Sequence, residues 1–222
     1  MTIKEAYIRY VDLVNRNATN NNLSVDLARF ILSFNSSTIR YVERVLNKRN
    51  EDEIRNISIL LNTEHPLTYS ATEENFERFT LPKDYFSLAN VHVYAKKGKC
   101  VSQRLQTTEA KSENIEELIF DESNCPSFDY RETFYTLSKN DVVVYKKDFD
   151  ITSVTLTYYR YPKKVDIAGY INIDGKNSKD INPELDDKVV LSILNAMAKD
   201  FSASNGDINQ YQIDKDKYVS NI

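Results

Sequence analysis

Apolar residues recur every three or four positions over the first sixty residues, alternate with polar ones through the middle, and return to helical spacing near the end. This change of period predicts helices, then strands, then one more helix. Thr2 and Glu5 form a capping box, and Ile3, Ala6, Tyr7, Tyr10, Val11 and Val14 make one face of a helix reaching about Asn15. The polar run NRNATNNN ends it. Ser24 stands as the cap of a second helix with Leu27, Ala28, Ile31, Leu32 and Phe34 inward. The NSST run at 35–38 either kinks that helix or lets it continue through Ile39, Val42, Val45 and Leu46. Ile54, Ile57, Leu60 and Leu61 predict a short third helix. Residues 1–62 therefore read as a small helical bundle.

Past His65-Pro66 the period becomes two. NFERFTL, LANVHVYA and VSQRLQ predict strands, with KKGK at 96–99 as a turn. SENIEELIF is one helical turn or an irregular crossing. TFYTLS and DVVVYKK flank Lys139-Asn140 as a hairpin. In ITSVTLTYYRY, Val154, Leu156 and Tyr158 alternate with Thr155, Thr157 and Tyr159. Five or six short strands over 63–180 suggest an antiparallel sandwich or barrel. A last helix over 181–205 has Asn182 as its cap, Pro183 at its first position, and Glu184, Asp186 and Asp187 in its first turn. Its apolar rows, Leu185, Val189, Ile193 and Ala196 beside Val190, Leu194, Met197 and Phe201, are too wide to leave in water. We expect it to return to the N-terminal helices, making the β part an insertion. Gly206 suits the helix stop, and 206–222 is a polar tail for a partner to order. The fold class is α+β.

Composition adds a few bounds. The 222 residues carry a net charge of −4, which disfavours a dedicated nucleic-acid binder. The two cysteines, Cys100 and Cys125, form no CxxC, so reduced thiols are expected rather than zinc or disulfides. The first residues carry charge where a signal peptide has its apolar core, and no window reads as a membrane span. The 15 tyrosines without tryptophan suit a protein that makes interfaces, although A/T-rich coding explains them, and the abundant Asn, better.

Catalytic chemistry is sparse. Four glycines supply neither a P-loop nor a dinucleotide fingerprint. His92 sits in a strand pattern and His65 in a turn, and both read as structural. Asp148 and Asp150 flank Phe149 and could share a magnesium ion, but a solvated turn fits better. YINIDGKNSKDI departs from a calcium loop at Tyr170 and Ile181, so no metal and no cofactor are expected. Three basic clusters fall at strand ends, where solvated turns are the expectation: Lys96, Lys97 and Lys99; Lys146 and Lys147; Arg160, Lys163 and Lys164.

Taken in order, several stretches resemble the head–tail connector proteins of short-tailed phages, of the tail-tubular, adaptor type, and most of all the ring proteins of crAss-like phages. They are SVDLARFILSFNSSTIRYVERVL, DEIRNISILL, FTLPKDYFSL, Cys125 to Phe128, VVVYKK, VTLTYYRYPKKVDIAGYINIDG and INPELDDKVVLSILNAMAKDF. The resemblance implies a structural virion protein and no enzyme. Twelve copies would form a ring beneath the portal protein and contact other ring or tail proteins. DNA would leave through the channel without sequence-specific binding, and no membrane would be involved. The LPxDY residues Asp84 and Tyr85, the YxRYP residues Arg160 and Tyr161, and Tyr211 and Tyr218 in the tail become interface candidates. Two other readings compete: a cytosolic α+β module that binds a ligand or peptide on its β part, and a metal-dependent nuclease or phosphotransfer enzyme using Asp148 and Asp150.

Overall fold

The computed structural model describes residues 1–15, 25–121, 125–171 and 175–204. They form an α+β chain of two compact units, one from Met1–Ile59 with the residues from Pro162 onward, the other from Leu60–Tyr161.

In the helical unit, α1 spans Ile3–Asn15 and opens as expected. The Thr2 N–H donates to Glu5 Oε2 at 2.8 Å and the Glu5 N–H to Thr2 Oγ1 at 3.2 Å. A third orphan donor, the Ile3 N–H, finds Asn182 Oδ1 at 3.0 Å. Asn182 thus caps the first helix, not the last. The last α-helix, α5 in the order used below, begins at Asp187, and its first bond runs from the Val190 N–H to the Asp186 carbonyl. Of the three acids expected in its first turn, Asp187 lies there, while Glu184 and Asp186 lie in the preceding segment, where Glu184 accepts the Lys163 N–H at 2.8 Å.

Helix α2, Leu27–Lys48, runs through the NSST stretch without interruption. Thr38 donates its hydroxyl to the Phe34 carbonyl at 2.8 Å, so that polar group is satisfied inside the helix. Its cap is Asp26, which accepts the Arg29 N–H; Ser24 lies outside the described residues. The buried stripe is Phe30, Ile31, Phe34, Thr38, Val42 and Val45, while Leu32 is 63% exposed. The inward face is therefore rotated from the one expected. Phe30 is the hub of a ring cluster, 5.2 Å from Tyr7, 5.4 Å from Tyr10 and 5.8 Å from Phe34. Helix α3, Glu51–Asn56, is shorter than expected, because a 3-10 turn at Ser58–Leu60 leads straight into a strand.

Helix α5, Asp187–Ser204, buries Val189, Val190, Ile193, Leu194, Met197 and Ala198 and packs on both α1 and α2. The segment before it, expected within a β-domain reaching residue 180, belongs with the helices. Asn35 grips it through both amide atoms, donating to the Val165 carbonyl at 3.1 Å and accepting the Val165 N–H at 2.9 Å. Lys4 pairs with Asp180 at 2.5 Å.

The second unit holds eight strands: β1 (Leu61–Pro66), β2 (Thr68–Thr72), β3 (Phe76–Thr80), β4 (Tyr85–Lys96), β5 (Gln103–Glu109), β6 (Glu132–Leu137), β7 (Asp141–Tyr145) and β8 (Asp150–Arg160). A short helix, α4 (Ile115–Phe120), lies between β5 and β6. The sheet order is β1-β8-β4-β5-β6-β7-β3-β2. It is mixed rather than antiparallel, because β5 and β6 run parallel from Gln106 opposite Glu132 to Glu109 opposite Tyr135. A parallel pair requires the chain to cross back, and the α4 segment provides the crossing. Ile115, Leu118 and Ile119 anchor it on Phe134, Val143 and Tyr145.

β1 and β2 were not expected at all. β1 pairs with β8 and β2 with β3, yet only Leu67 separates them, and its N–H donates to the Val154 carbonyl at 3.0 Å. The sheet has curled until its first and last strands are consecutive lengths of one segment. Inside the curl, Phe79, Val91, Val93, Leu105, Val142, Val144, Leu156 and Tyr158 form the core.

Candidate interface at the end of the β4–β8 pair

The antiparallel register sets Tyr85 opposite Arg160 and Leu88 opposite Tyr158. LPKDY, at the entry to β4, and YRYP, at the exit of β8, are more than seventy residues apart in the chain and side by side in the fold. Register shifts at Tyr85/Ser87 and Leu88/Asn90 bulge this end of the ladder and re-aim its side chains.

Asp84 is the link between the two. Its Oδ1 accepts the Tyr158 hydroxyl at 2.9 Å, and its carbonyl accepts the Tyr161 N–H at 2.8 Å. Tyr158 is 1% exposed, and its oxygen also accepts the Asn62 amide from β1 at 3.0 Å. Burial holds the Tyr158 phenol above its ordinary value, so it remains a donor to Asp84 at neutral pH. The Tyr85 ring lies 5.9 Å from that of Tyr158, and burial, with Glu109 second, raises its phenol too. Around this hydrogen-bonded chain the surface carries Tyr161, 48% exposed and edge-on to Phe86 at 4.7 Å. Arg160 donates to the Tyr161 carbonyl at 3.2 Å.

Four of the six interface candidates, Asp84, Tyr85, Arg160 and Tyr161, thus share one end of the unit. Tyr211 and Tyr218 lie outside the described residues. Asn62 and Phe86 complete the cluster and carried no signal of their own, since each is one polar or aromatic residue in a chain full of both.

The other candidates fall elsewhere. Asp148 binds Lys97, which also reaches Asp129 at 3.0 Å; the Asp148 bond, then that to Asp129, raises the Lys97 ammonium. This ties three turns together. Among the described residues no three His, Cys, Asp or Glu side chains are grouped to hold a metal. Of the calcium-loop positions, 172–174 are outside the described residues, while Tyr170 donates to Asp166 at 2.6 Å. Lys146 departs from the expected solvated turn. It is 15% exposed and pairs with Glu77, 11% exposed, at 2.7 Å. His65 is exposed and edge-on to Tyr158.

His92 is nearly buried in β4, its Nδ1 against the Arg104 guanidinium of β5. Burial, then the Arg104 charge, lowers its pKa from the ordinary 6.5. Because the folded imidazole resists protonation, the unfolded chain binds more protons as pH falls below 6.5, and stability falls with it. Urea unfolding between pH 7.5 and about pH 5 should show this loss in the wild type and a flatter profile in His92→Gln. Parallel profiles would mean that His92 does not titrate differently on folding.

Among the described residues no helix is long and apolar enough to cross a membrane. Compared with models of known protein families and with curated proteins, the sequence matches none.

Proposed function

We propose that the chain is a non-enzymatic virion protein that forms a ring, of about twelve copies, at the junction of portal and tail, and lines the channel through which DNA leaves. The order of sequence stretches shared with ring proteins of short-tailed phages motivates the reading. The observation that carries it is the meeting of LPKDY with YRYP. A buried tyrosine bonded to an exposed carboxylate ties the two backbones there, and a half-exposed Tyr and an Arg, residue types enriched at interface hot spots, are displayed beside them. A finer reading of the architecture goes with it: a helical bundle, with a small β-barrel inserted in its sequence. A net charge of −4 also suits a channel that must not grip a sliding polyphosphate.

The test is to recover tagged protein from infected, lysing cells and to analyse the eluate by mass spectrometry and negative-stain imaging. Portal and tail proteins with ring-shaped particles are the expected result. A monomer without virion partners would sink the reading and leave the ligand- or peptide-binding module as its replacement.

One variant locates the contact. Tyr161→Ala should weaken recovery of the virion partners by about thirtyfold, the effect of losing a hot spot of ~2 kcal/mol. Its melting temperature should stay within a degree or two, because the ring it removes is half in solvent. Loss of stability in step with loss of partners would make Tyr161 a structural residue instead.

A further inference from the structure

We propose that Tyr130 of one copy inserts its ring into the cleft between α1, α2 and α5 of the next, as a knob into a socket, and that this is the contact between neighbours in the ring. The inference rests on the ring reading above and names the surfaces that close the ring.

The socket has a volume of about 170 Å³, with Phe30, Met197 and Phe201 as apolar walls and Ser33 beside them. An apolar cavity of about 150 Å³ holds benzene, so a single aromatic ring is the size of guest that suits it. One wall carries an unmet polar demand. Tyr10 is 4% exposed, yet among the described residues its hydroxyl has no hydrogen-bond partner. The phenol feels the charges of Arg29 and Asp200, which border the same cleft, so its hydroxyl end is the part turned toward the opening. Burial pushes that phenol up to about 12, and it stays a donor at neutral pH. A buried donor without an acceptor is costly, and a guest ring that carries its own oxygen removes the cost. A second tyrosine is such a guest.

Tyr130 is 82% exposed, more than any other aromatic side chain among the described residues. The turn that carries it is well braced. Ser127 and Glu132 exchange backbone bonds in both directions, at 2.9 and 3.0 Å, and close a short hairpin with Tyr130 near its crown. Ser127 Oγ accepts the Tyr130 N–H at 3.3 Å, and the Phe128 carbonyl accepts the Arg131 N–H at 3.2 Å. Phe128, 6% exposed, roots the turn in the core of the β unit. Arg131 takes a φ of 59°, a left-handed conformation uncommon in a residue with a side chain and kept only where its surroundings enforce it. A tyrosine held in place this way loses little freedom on entering a pocket. The borders match as well. Asp129 and Arg131 flank the knob, while Arg29 and Asp200 border the socket, one carboxylate and one guanidinium on each side. Asp129 already binds Lys97 at 3.0 Å and Asp200 binds Arg40 at 3.4 Å, but these are solvated pairs that exchange readily. Knob and socket are different patches of one chain. A contact between unlike patches of identical copies is heterologous, and when its rotation closes it yields a ring.

The test uses full-length chains, alone and with the portal fraction, followed by sedimentation velocity and negative-stain imaging. Tyr130→Ala removes the knob and Ser33→Phe fills the socket, and each should raise the concentration needed for assembly by about thirtyfold or more. Mixed one to one, the two variants should form a dimer and stop, because the first still has its socket and the second its knob. That dimer also shows that both variants are folded. Tyr10→Phe and Tyr130→Phe each remove one hydroxyl of the proposed pair. Each should cost about fivefold, and the two together no more than either alone. Costs that multiply would overturn the pairing of the hydroxyls. Wild-type rings with Tyr130→Ala assembling as readily would overturn the inference and leave the ring reading standing, as would variants that stay monomeric when mixed. A wild type that stops at a dimer sensitive to Tyr130→Ala would keep the contact and remove the ring. A wild type that never assembles, with or without portal, would remove both.

Discussion

Phe30→Ala should destabilise the protein by about 3 kcal/mol, measured as the shift in its urea unfolding midpoint. The side chain is 1% exposed and its ring meets those of Tyr7, Tyr10 and Phe34, so truncation removes three aromatic contacts and leaves a hole at the centre of the helical unit. Truncating a buried phenylalanine costs about 3–5 kcal/mol. The lower end applies because a cleft bordered by Tyr10, Phe30 and Met197 already adjoins the site, so water or a shifted side chain can occupy part of the hole. Phe30→Leu keeps most of the volume and should cost about half as much. Leu32→Ala, one turn face away and 63% exposed, should change stability by less than about 0.5 kcal/mol. A Phe30→Ala effect below about 1 kcal/mol would show that α2 packs by a different stripe.

Lys146→Met is the second large effect, expected at about 2–4 kcal/mol. The Lys146 ammonium binds Glu77 Oε1 at 2.7 Å and Thr72 Oγ1 at 3.3 Å, while the residue's backbone N–H, which the substitution keeps, donates to the Asn75 carbonyl at 2.8 Å. One residue therefore ties β2, β3 and the end of β7. Removing it strands the Glu77 carboxylate, only 11% exposed, with its charge uncompensated. The pair is worth less than this single-variant cost, because both ions gave up water to form it. Glu77→Leu combined with Lys146→Met should accordingly recover most of the loss. A thermodynamic cycle in which the double variant is as unstable as the sum of the singles would show that the side chains act separately and that the ion pair contributes nothing.

Local chemistry was the part of this fold that the sequence displayed openly. Thr2 and Glu5 are three residues apart and each side chain accepts the other's backbone N–H, a local pairing readable from the sequence. The Val154, Leu156, Tyr158 alternation was equally secure, because burial on one sheet face requires it. Errors arose wherever a residue's partner lay far along the chain. Asn182 has the right chemistry for a cap and the right position before Pro183, but it is spent on an N–H 179 residues away. Leu61–Pro66 is polar and contains a proline, a poor strand by composition, and becomes one only because β8 offers it a ladder. The parallel run of β5 with β6 has no compositional mark whatever. Lys146 beside Lys147 looked like a solvated pair, and only the Glu77 carboxylate across the sheet separates their fates. The interface candidates lie between these cases. LPKDY and YRYP could be picked out one at a time, whereas their adjacency depends on the β4–β8 register.

The helical unit is assembled from both ends of the chain, with the whole of the β unit between its parts. During synthesis this imposes an order. Helices α1 and α2 leave the ribosome before the β unit, but Phe30, Phe34 and Val42 have no α5 to cover them until more than a hundred further residues have been added. At roughly 5–20 residues per second, that wait is on the order of ten seconds. The β unit has its last strand by Arg160 and can close while the helices are still waiting. The helices made before the β unit thus complete their core after it, when α5 emerges and Asn182 caps α1.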